Sequence, residues 1–177
     1  DCPVLFLGEW CTRYGRKNVW AKMDATYSDK DTKGFIFKKP DYDYLFPLVE
    51  RILVDLSIKL NNIHGVDHGV LYWRILIAPW LIHFIPTIYN RWETIKNALR
   101  SYNIGETFIL NYNQQTLIPQ GPHDMNHKMT GDEWNHVIFG DILNFFGFDR
   151  FKEKKIEVEK IDIHVNDNLR SIIKKKI

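Results

Sequence analysis

This sequence has few cysteines and a small net charge. Only Cys2 and Cys11 are cysteines among 177 residues, and they lack the Cys-x-x-Cys spacing of a thiolate zinc site. Two cysteines form no disulfide framework, and no cleavable leader precedes them, so free thiols in a cytoplasmic protein are predicted. The net charge of +2 is too small to indicate a nucleic-acid partner.

Short catalytic motifs are also missing. The chain has no glycine-rich phosphate loop, no dinucleotide fingerprint and no serine nucleophile elbow. Its hydrophobic content of 45% and charged content of 26% are typical of a soluble globular protein. Because the chain starts at Asp1, close to a predicted strand, and stops at Ile177 after three lysines, we expect it to be the amino-terminal part of a longer protein.

One apolar stretch, Val70–Tyr89, is long enough for a membrane span but has the wrong content. It contains an arginine, a histidine and two prolines. Charged side chains and broken backbone hydrogen bonds are costly in a bilayer. The stretch therefore predicts a kinked, buried helix, followed by a more polar helix from Arg91 to Tyr102. Peripheral contact with a membrane surface remains an alternative.

Amphipathic side chains are concentrated between Asn61 and Trp92. This segment contains three tryptophans and two arginines among histidines and tyrosines. Each of these side chains has a polar tip that needs a partner when it is buried. The pattern is typical of residues that line a ligand-binding site. The alternative is that these residues form an aromatic-rich core.

Periodicity predicts a mixed α/β chain. Strands are predicted at Val4–Leu7, which Gly8 ends, at Thr107–Asn111, at Ile156–Val165 and, as a short edge strand, at Phe35–Phe37. Helices are predicted from about Tyr42 to Asn62, with a leucine-rich stripe expected to pack on the first strand, and from Gly131 to Phe146, with Thr130 and Glu133 as a capping box. Residues 112–129 are predicted to be loop. The order of elements favours an α/β layer arrangement.

Histidine pairs are the first candidates for chemistry. His64 and His68 have an i, i+4 spacing, as do His123 and His127, which would place two imidazoles on one helix face for zinc. Glycine or proline lies in or beside both stretches, which argues against a helix there. His64 and His68 are therefore weighed as catalytic bases or substrate ligands, as a metal site, or as loop residues that bond to backbone.

Arginines and one helix start are the other candidates. Arg74 and Arg91, with Arg13 and Arg16, are predicted anion ligands, because guanidinium groups bind phosphate bidentately. An internal carboxylate, Glu50 or Asp55, is the alternative partner of Arg74. The segment Asp132–His136 brings polar side chains to a helix start, where we expect Trp134 to be buried and Asn135 and His136 to fix loops or contact substrate.

Several segments together resemble one protein family, the transferases encoded in bacterial O-antigen and surface-polysaccharide loci. They are Phe6–Cys11 with Arg16 and Lys17, Leu60–His68, Tyr72–Trp80, Asn90–Trp92 and Asp132–His136. The resemblance implies a helix-rich, Rossmann-like amino-terminal domain of a two-domain, GT-B-like glycosyltransferase. Residues 1–150 would form this acceptor-side domain, and residues 151–177 would lead to a carboxyl-terminal domain.

The expected substrates are a nucleotide-sugar and a glycan or lipid-linked acceptor, with no other cofactor and no metal, in the cytoplasm at the inner face of the membrane. The expected substrate-binding residues, besides the two catalytic histidines, are Gly8, Glu9, Trp10, Arg13, Tyr72, Trp73, Arg74, Trp80, Arg91, Trp92, Asn135 and His136. A non-catalytic glycan- or protein-binding module is the main alternative function. A histidine-metal hydrolase is the weaker one.

Overall fold

The computed structural model describes residues 3–28, 39–110 and 117–154. Helices dominate these ranges, and the strands are short. In chain order the elements are β1 (Val4–Phe6), a 3-10 turn (Glu9–Thr12), a second 3-10 turn (Tyr14–Arg16), α1 (Lys17–Trp20), β2 (Ala25–Tyr27), α2 (Lys39–His64), α3 (Val70–Ser101), β3 (Thr107–Leu110), α4 (Pro122–Thr130), α5 (Asp132–Phe145) and β4 (Phe151–Lys154).

The strands form two small parallel sheets. β1 pairs with β2, Val4 lying opposite Ala25, and β3 pairs with β4, Thr107 lying opposite Phe151. Parallel pairs need a crossover connection, and helices supply it between β3 and β4. The chain is therefore a helix-rich protein with small parallel sheets, and a Rossmann-like sheet stays a prediction.

Helices α2 and α3 pack against each other along the leucine-rich stripe. Val49 and Leu53 of α2 are buried with Trp73 and Leu81 of α3. The prediction that this stripe packs on the first strand was wrong. Leu7, which follows β1, packs instead in a second cluster with the carboxyl-terminal half of α3 and with α5. The long α3 offers a larger apolar face than a three-residue strand, so it takes up the stripe.

The apolar stretch and the more polar segment after it form one helix, α3, and not two. Pro79 and Pro86 lie inside it. Each proline removes one hydrogen bond, but the neighbouring turns retain theirs and the helix continues. The predicted burial was only partly right, because one face is exposed (Leu71, Ile75, Leu76 and Ile82). By length and composition alone, α3 is the one described helix that could cross a membrane, which is weak evidence for a span.

Two predictions about residues 122–130 were wrong, whereas residues 117–121 are irregular as predicted and 112–116 lie outside the described residues. Helix α4 occupies much of the predicted loop, starting after Gly121 with a proline in its first turn, where a missing N–H costs nothing. Met125 and Met129, four residues apart, bury one face of it. Thr130 ends α4 and its hydroxyl donates to the carbonyls of Asn126 and His127, so it does not cap α5. Gly131 is the residue before α5, and glycine has no side chain with which to cap the helix.

Some predicted elements lie outside the described residues. These are the predicted edge strand Phe35–Phe37, the last residue, Asn111, of the strand predicted from Thr107, and the predicted strand Ile156–Val165. The strand β4 was not predicted. The predicted free thiol of Cys11 is confirmed, whereas Cys2 is not described.

Candidate functional site

A cleft of about 1020 Å³ lies between α2 and α3 and is bordered by α4 and the first 3-10 turn. The two helices run antiparallel, since Arg74 contacts Glu50 while Tyr89 donates a hydrogen bond to Asp41. The cleft therefore extends along α3 from Arg74 to Arg91. Its other lining residues are Trp10, Tyr42, Leu45, Phe46, Val49, Glu50, Ala78, Ile82, His83, Pro86, Thr87, Asn90, Asn126, Met129 and Thr130.

Arg91 is the notable cation of this cleft. It is half-buried, and its Nε donates to Asn135 Oδ1 at 2.7 Å while Nη1 donates to Asn90 Oδ1 at 2.6 Å. Both acceptors are neutral amides, and no carboxylate in the described ranges forms an ion pair with it. Burial lowers the pKa of Arg91 from its usual value. A desolvated guanidinium without a counter-ion is suited to binding an anion.

Trp10 lies beside Arg91 at the same end of the cleft. Arg91 Cζ is 5.9 Å from the Trp10 ring centroid, and the indole stacks on Phe139 with a centroid distance of 6.4 Å and an interplanar angle of 16°. Part of the Trp10 surface remains accessible between these two neighbours, since the residue is 47% exposed. Gly8 is required for this placement, because a Cβ there would overlap the indole ring. An exposed ring next to a cation is a suitable surface for a sugar linked to phosphate.

The start of α5 holds Arg91 in place. Asn135 accepts from Arg91, and its amide nitrogen donates to the carbonyls of Met129 (2.9 Å) and Gly131 (2.8 Å). Both N–H groups of this side chain and one lone pair of its oxygen are thereby used within the protein. Asp132 forms an ion pair with Arg13 at 2.7 Å, which ties the α5 start to the loop after the first 3-10 turn.

Two neighbours on α5 are also accounted for by their surroundings. Trp134 is buried, as predicted, and contacts Phe84 edge-on at 6.3 Å. His136 is partly buried, and this burial lowers its pKa. The segment Asp132–His136 therefore supports the structure around Arg91 more than it lines the cleft.

Arg74 marks the opposite end of the cleft and has an internal partner. Its two terminal nitrogens donate to Glu50 Oε1 and Oε2 at 2.6 and 2.5 Å. The hydrogen bond from Arg74 is the main cause of the lowered pKa of Glu50, and the same contact raises the pKa of Arg74. Of the alternatives for Arg74, the carboxylate partner is the one that the structure contains. Its charge is neutralised before any ligand arrives.

His64 and His68 lie outside the cleft lining, in an aromatic cluster at the α2–α3 connection. Both are exposed, His64 facing Trp73 at 6.0 Å and His68 facing Tyr72 at 4.0 Å. Asn61 organises this cluster. Its Nδ2 donates to the His68 carbonyl at 2.9 Å, and its Oδ1 accepts from the His68 backbone N–H and from Trp73 Nε1. The structure thus separates the two histidines from Trp10 and Arg91, and a catalytic role for them stays a prediction.

The other predicted aromatic ligands lie in packing clusters. Trp80 stacks on Phe84 at 4.7 Å, and Trp92 contacts Phe145 and Phe146 at 4.9 and 4.5 Å. Neither tryptophan lines the cleft, so the core alternative accounts for their positions. Glu9 lies in the 3-10 turn next to Trp10.

The described part of the chain offers few ligands for a metal ion. No group of three or more His, Cys, Asp or Glu side chains there could hold an ion. His123 and His127 do lie on one helix, α4, contrary to the argument against a helix at that pair. That argument also failed at His64, which is the last residue of α2, although it holds for His68 in the connecting loop.

Several cleft residues were not singled out in the sequence. Asn90 lies directly before the predicted Arg91, and Asn126 lies in the stretch predicted to be loop. Phe139 is a ring partner of Trp10 from another element. For Asn90 the signal was the Asn-Arg-Trp segment itself. For Phe139 only the three-dimensional packing could reveal the contact.

A family model for the LIC12162 family transferases matches residues 1–177. Comparisons with curated proteins and with solved structures give no significant match. The segments that carried the sequence resemblance supply the polar end of the cleft, namely Trp10, Arg91 and the supporting Asn135. Because the match spans the whole chain, this protein belongs to the LIC12162 family of transferases.

Proposed function

We propose that this transferase moves a sugar during surface-polysaccharide or O-antigen assembly. In this proposal residues 1–150 form the acceptor-side domain of a two-domain, GT-B-like enzyme, and residues 151–177 lead to a carboxyl-terminal domain that binds the nucleotide-sugar. The enzyme works in the cytoplasm at the inner face of the membrane. The exposed leucine and isoleucine side chains of α3 support such a peripheral position.

The observation that carries this proposal is the environment of Arg91. A partly buried guanidinium, held by two amide oxygens and covered by the Trp10 ring, faces an open cleft without a carboxylate partner in the described residues. A phosphate group would restore charge balance there, and the exposed Trp10 ring would pack against an attached sugar. Donors and acceptors in polysaccharide assembly carry both groups.

The reaction requires no redox partner. The bond between the sugar's anomeric carbon and the nucleotide phosphate breaks, and an acceptor oxygen forms a new bond to that carbon. The nucleotide leaves with the bonding electrons. The proton of an attacking hydroxyl passes to solvent, whereas an ionised phosphate oxygen has no proton to lose. The role proposed for this chain is to hold the acceptor in position, since orientation alone can contribute about 7 to 11 kcal/mol to lowering a barrier.

The test is sugar transfer by the full-length enzyme, with UDP-, GDP- and CMP-sugars as donors. Arg91→Gln should lower kcat/KM by about 10- to 150-fold, because a hydrogen bond to a charged group contributes about 1.5 to 3 kcal/mol. Arg100→Gln is the matched control, since Arg100 is exposed at the end of the same helix and does not line the cleft. Full activity in Arg91→Gln would contradict the assigned site. Absence of transfer from every donor would contradict the proposed reaction.

A further inference from the structure

We propose that the ligand of this cleft is a single-chain lipid phosphate, its phosphate at Arg91 and its hydrocarbon chain between α2 and α3. This inference rests on the proposed function, because it specifies the acceptor that the enzyme would use. Its basis is the unequal distribution of polar and apolar groups along the cleft.

The polar groups that can meet an anion are concentrated at one end. Arg91 has more N–H donors than its two amide acceptors use, so its remaining donors can bind a phosphate oxygen. At the other end Arg74 is already paired with Glu50 through two hydrogen bonds. Among the described arginines and lysines that line the cleft, Arg91 is therefore the one available for a phosphate, and it lies at the α4 end.

The middle of the cleft is lined mainly by apolar side chains from the two long helices. They are Leu45, Phe46, Val49, Ala78, Ile82 and Pro86. Phe46 and Ile82 are 63% and 53% exposed, which is unfavourable for side chains of this size unless something covers them. From Arg74 to Arg91 the helix rises by about 26 Å at about 1.5 Å per residue, long enough for an extended hydrocarbon chain.

These walls suit a lipid better than a nucleotide. A base and a ribose carry many hydrogen-bonding groups, and leaving them unpaired in an apolar site is costly. The carbons of a hydrocarbon chain need no such partners. The nucleotide-sugar would consequently bind elsewhere in the full-length enzyme, and this cleft would hold the acceptor.

The experiment measures binding of farnesyl phosphate, farnesol, inorganic phosphate and UDP to the full-length protein. Farnesyl phosphate should bind at least about tenfold more tightly than each of the other three probes, because only it can occupy both ends of the cleft. Ile82→Asn and Arg91→Gln should each weaken that binding by about tenfold. Ile58→Asn is the control, because Ile58 is 57% exposed but lies outside the cleft lining.

Each other outcome has a defined meaning. Equal affinity for farnesol would indicate nonspecific partition into an apolar surface, and equal affinity for inorganic phosphate or UDP would indicate a free-anion or nucleotide site; each would overturn the inference. So would equal losses in Ile82→Asn and Ile58→Asn. Transfer to a water-soluble acceptor without farnesyl phosphate binding would refute the lipid site alone. Farnesyl phosphate binding without sugar transfer would refute the proposed function alone.

Discussion

At the scale of single residues, the polar end of the cleft depends on contacts between side chains that are distant in sequence. Gly8 leaves room for the Trp10 ring, Trp10 lies near the Arg91 guanidinium, and Asn135 fixes Arg91 through its side-chain oxygen. Each contact restricts the next one. A substitution at Gly8 should therefore displace the Arg91 side chain indirectly, through the Trp10 ring.

Gly8→Ala should destabilise the protein by about 1 to 3 kcal/mol, the range for an added methyl group in a packed site. The backbone of Gly8 is extended and acceptable to alanine, so the cost comes from the overlap with the Trp10 ring. Urea unfolding of the 177-residue chain measures it. In a Trp10→Ala background the same substitution should cost less than about 0.5 kcal/mol. Equal costs in both backgrounds would show that the ring is not the obstacle.

His136 should make stability depend on pH in the mildly acidic range. Burial lowers its pKa in the folded state below the ordinary value of 6.5, so the unfolded chain binds more protons. The stability that neutral His136 contributes is then fully present above pH 6.5. It decreases as the pH falls from the pKa of His136 in the unfolded chain toward its lower pKa in the folded protein. Urea unfolding at about pH 7.5 and about pH 5.5 should show this decrease, and His136→Gln should reduce it. An unchanged pH dependence in the variant would contradict the assignment.

At the scale of elements, the α2–α3 pair is the frame that positions the cleft. The buried stripe holds the two helices together. The Glu50–Arg74 pair fixes their register along the helix axes, and Asn61 holds the loop that connects them. The side-chain amide of Asn61 donates a hydrogen bond to the carbonyl of His68 and accepts one from its backbone N–H. The cleft walls are therefore rigid helices, and one 3-10 turn adds Trp10 at the edge.

Leu53→Ala should lower the free energy of unfolding by about 2 to 5 kcal/mol, because Leu53 is fully buried in the α2–α3 interface and its removal leaves a cavity. Leu71→Ala is the matched control, since the same substitution at a leucine that is 69% exposed should change stability by less than about 1 kcal/mol. Thermal and urea unfolding of both variants check the difference. Similar losses would mean that Leu71 is covered in solution.

At the scale of the whole molecule, three apolar clusters meet along α3. The first lies against α2, the second against Leu7 and α5, and the third against α4. Arg91 follows Ile88 of the third cluster and precedes Trp92 of the second along α3, and its burial lowers its pKa. One helix thus connects the sheets to the cleft.

Residues 1–177 alone should be unable to transfer sugar but should still bind acceptor. In the proposed two-domain enzyme, the donor site lies outside this chain, and without it the two substrates are not oriented. The measurement compares sugar transfer by this chain with transfer by the full-length protein, alongside farnesyl phosphate binding by both. Sugar transfer by the 177-residue chain would place the donor site within it and contradict the domain proposal.

The sequence alone determined the elements whose signal is local. The three- and four-residue spacing of leucines predicted α2, and a short apolar run before Gly8 predicted β1, because periodicity reports which face of an element is buried. Helix α4 escaped this reasoning, since only two methionines mark its buried face among polar residues. Arg74 and Arg91 were both predicted anion ligands, with an internal carboxylate as the alternative partner of Arg74.

Only the tertiary structure separated these two arginines. A glutamate 24 residues away neutralises Arg74, whereas an asparagine 44 residues away holds Arg91 without cancelling its charge. In the folded protein His64 and His68 lie apart from Trp10, at the α2–α3 connection. Trp80 and Trp92 lie in apolar clusters. A side chain's partners depend on which helix faces it across the core, and the spacing of residues along the chain contains no record of that choice.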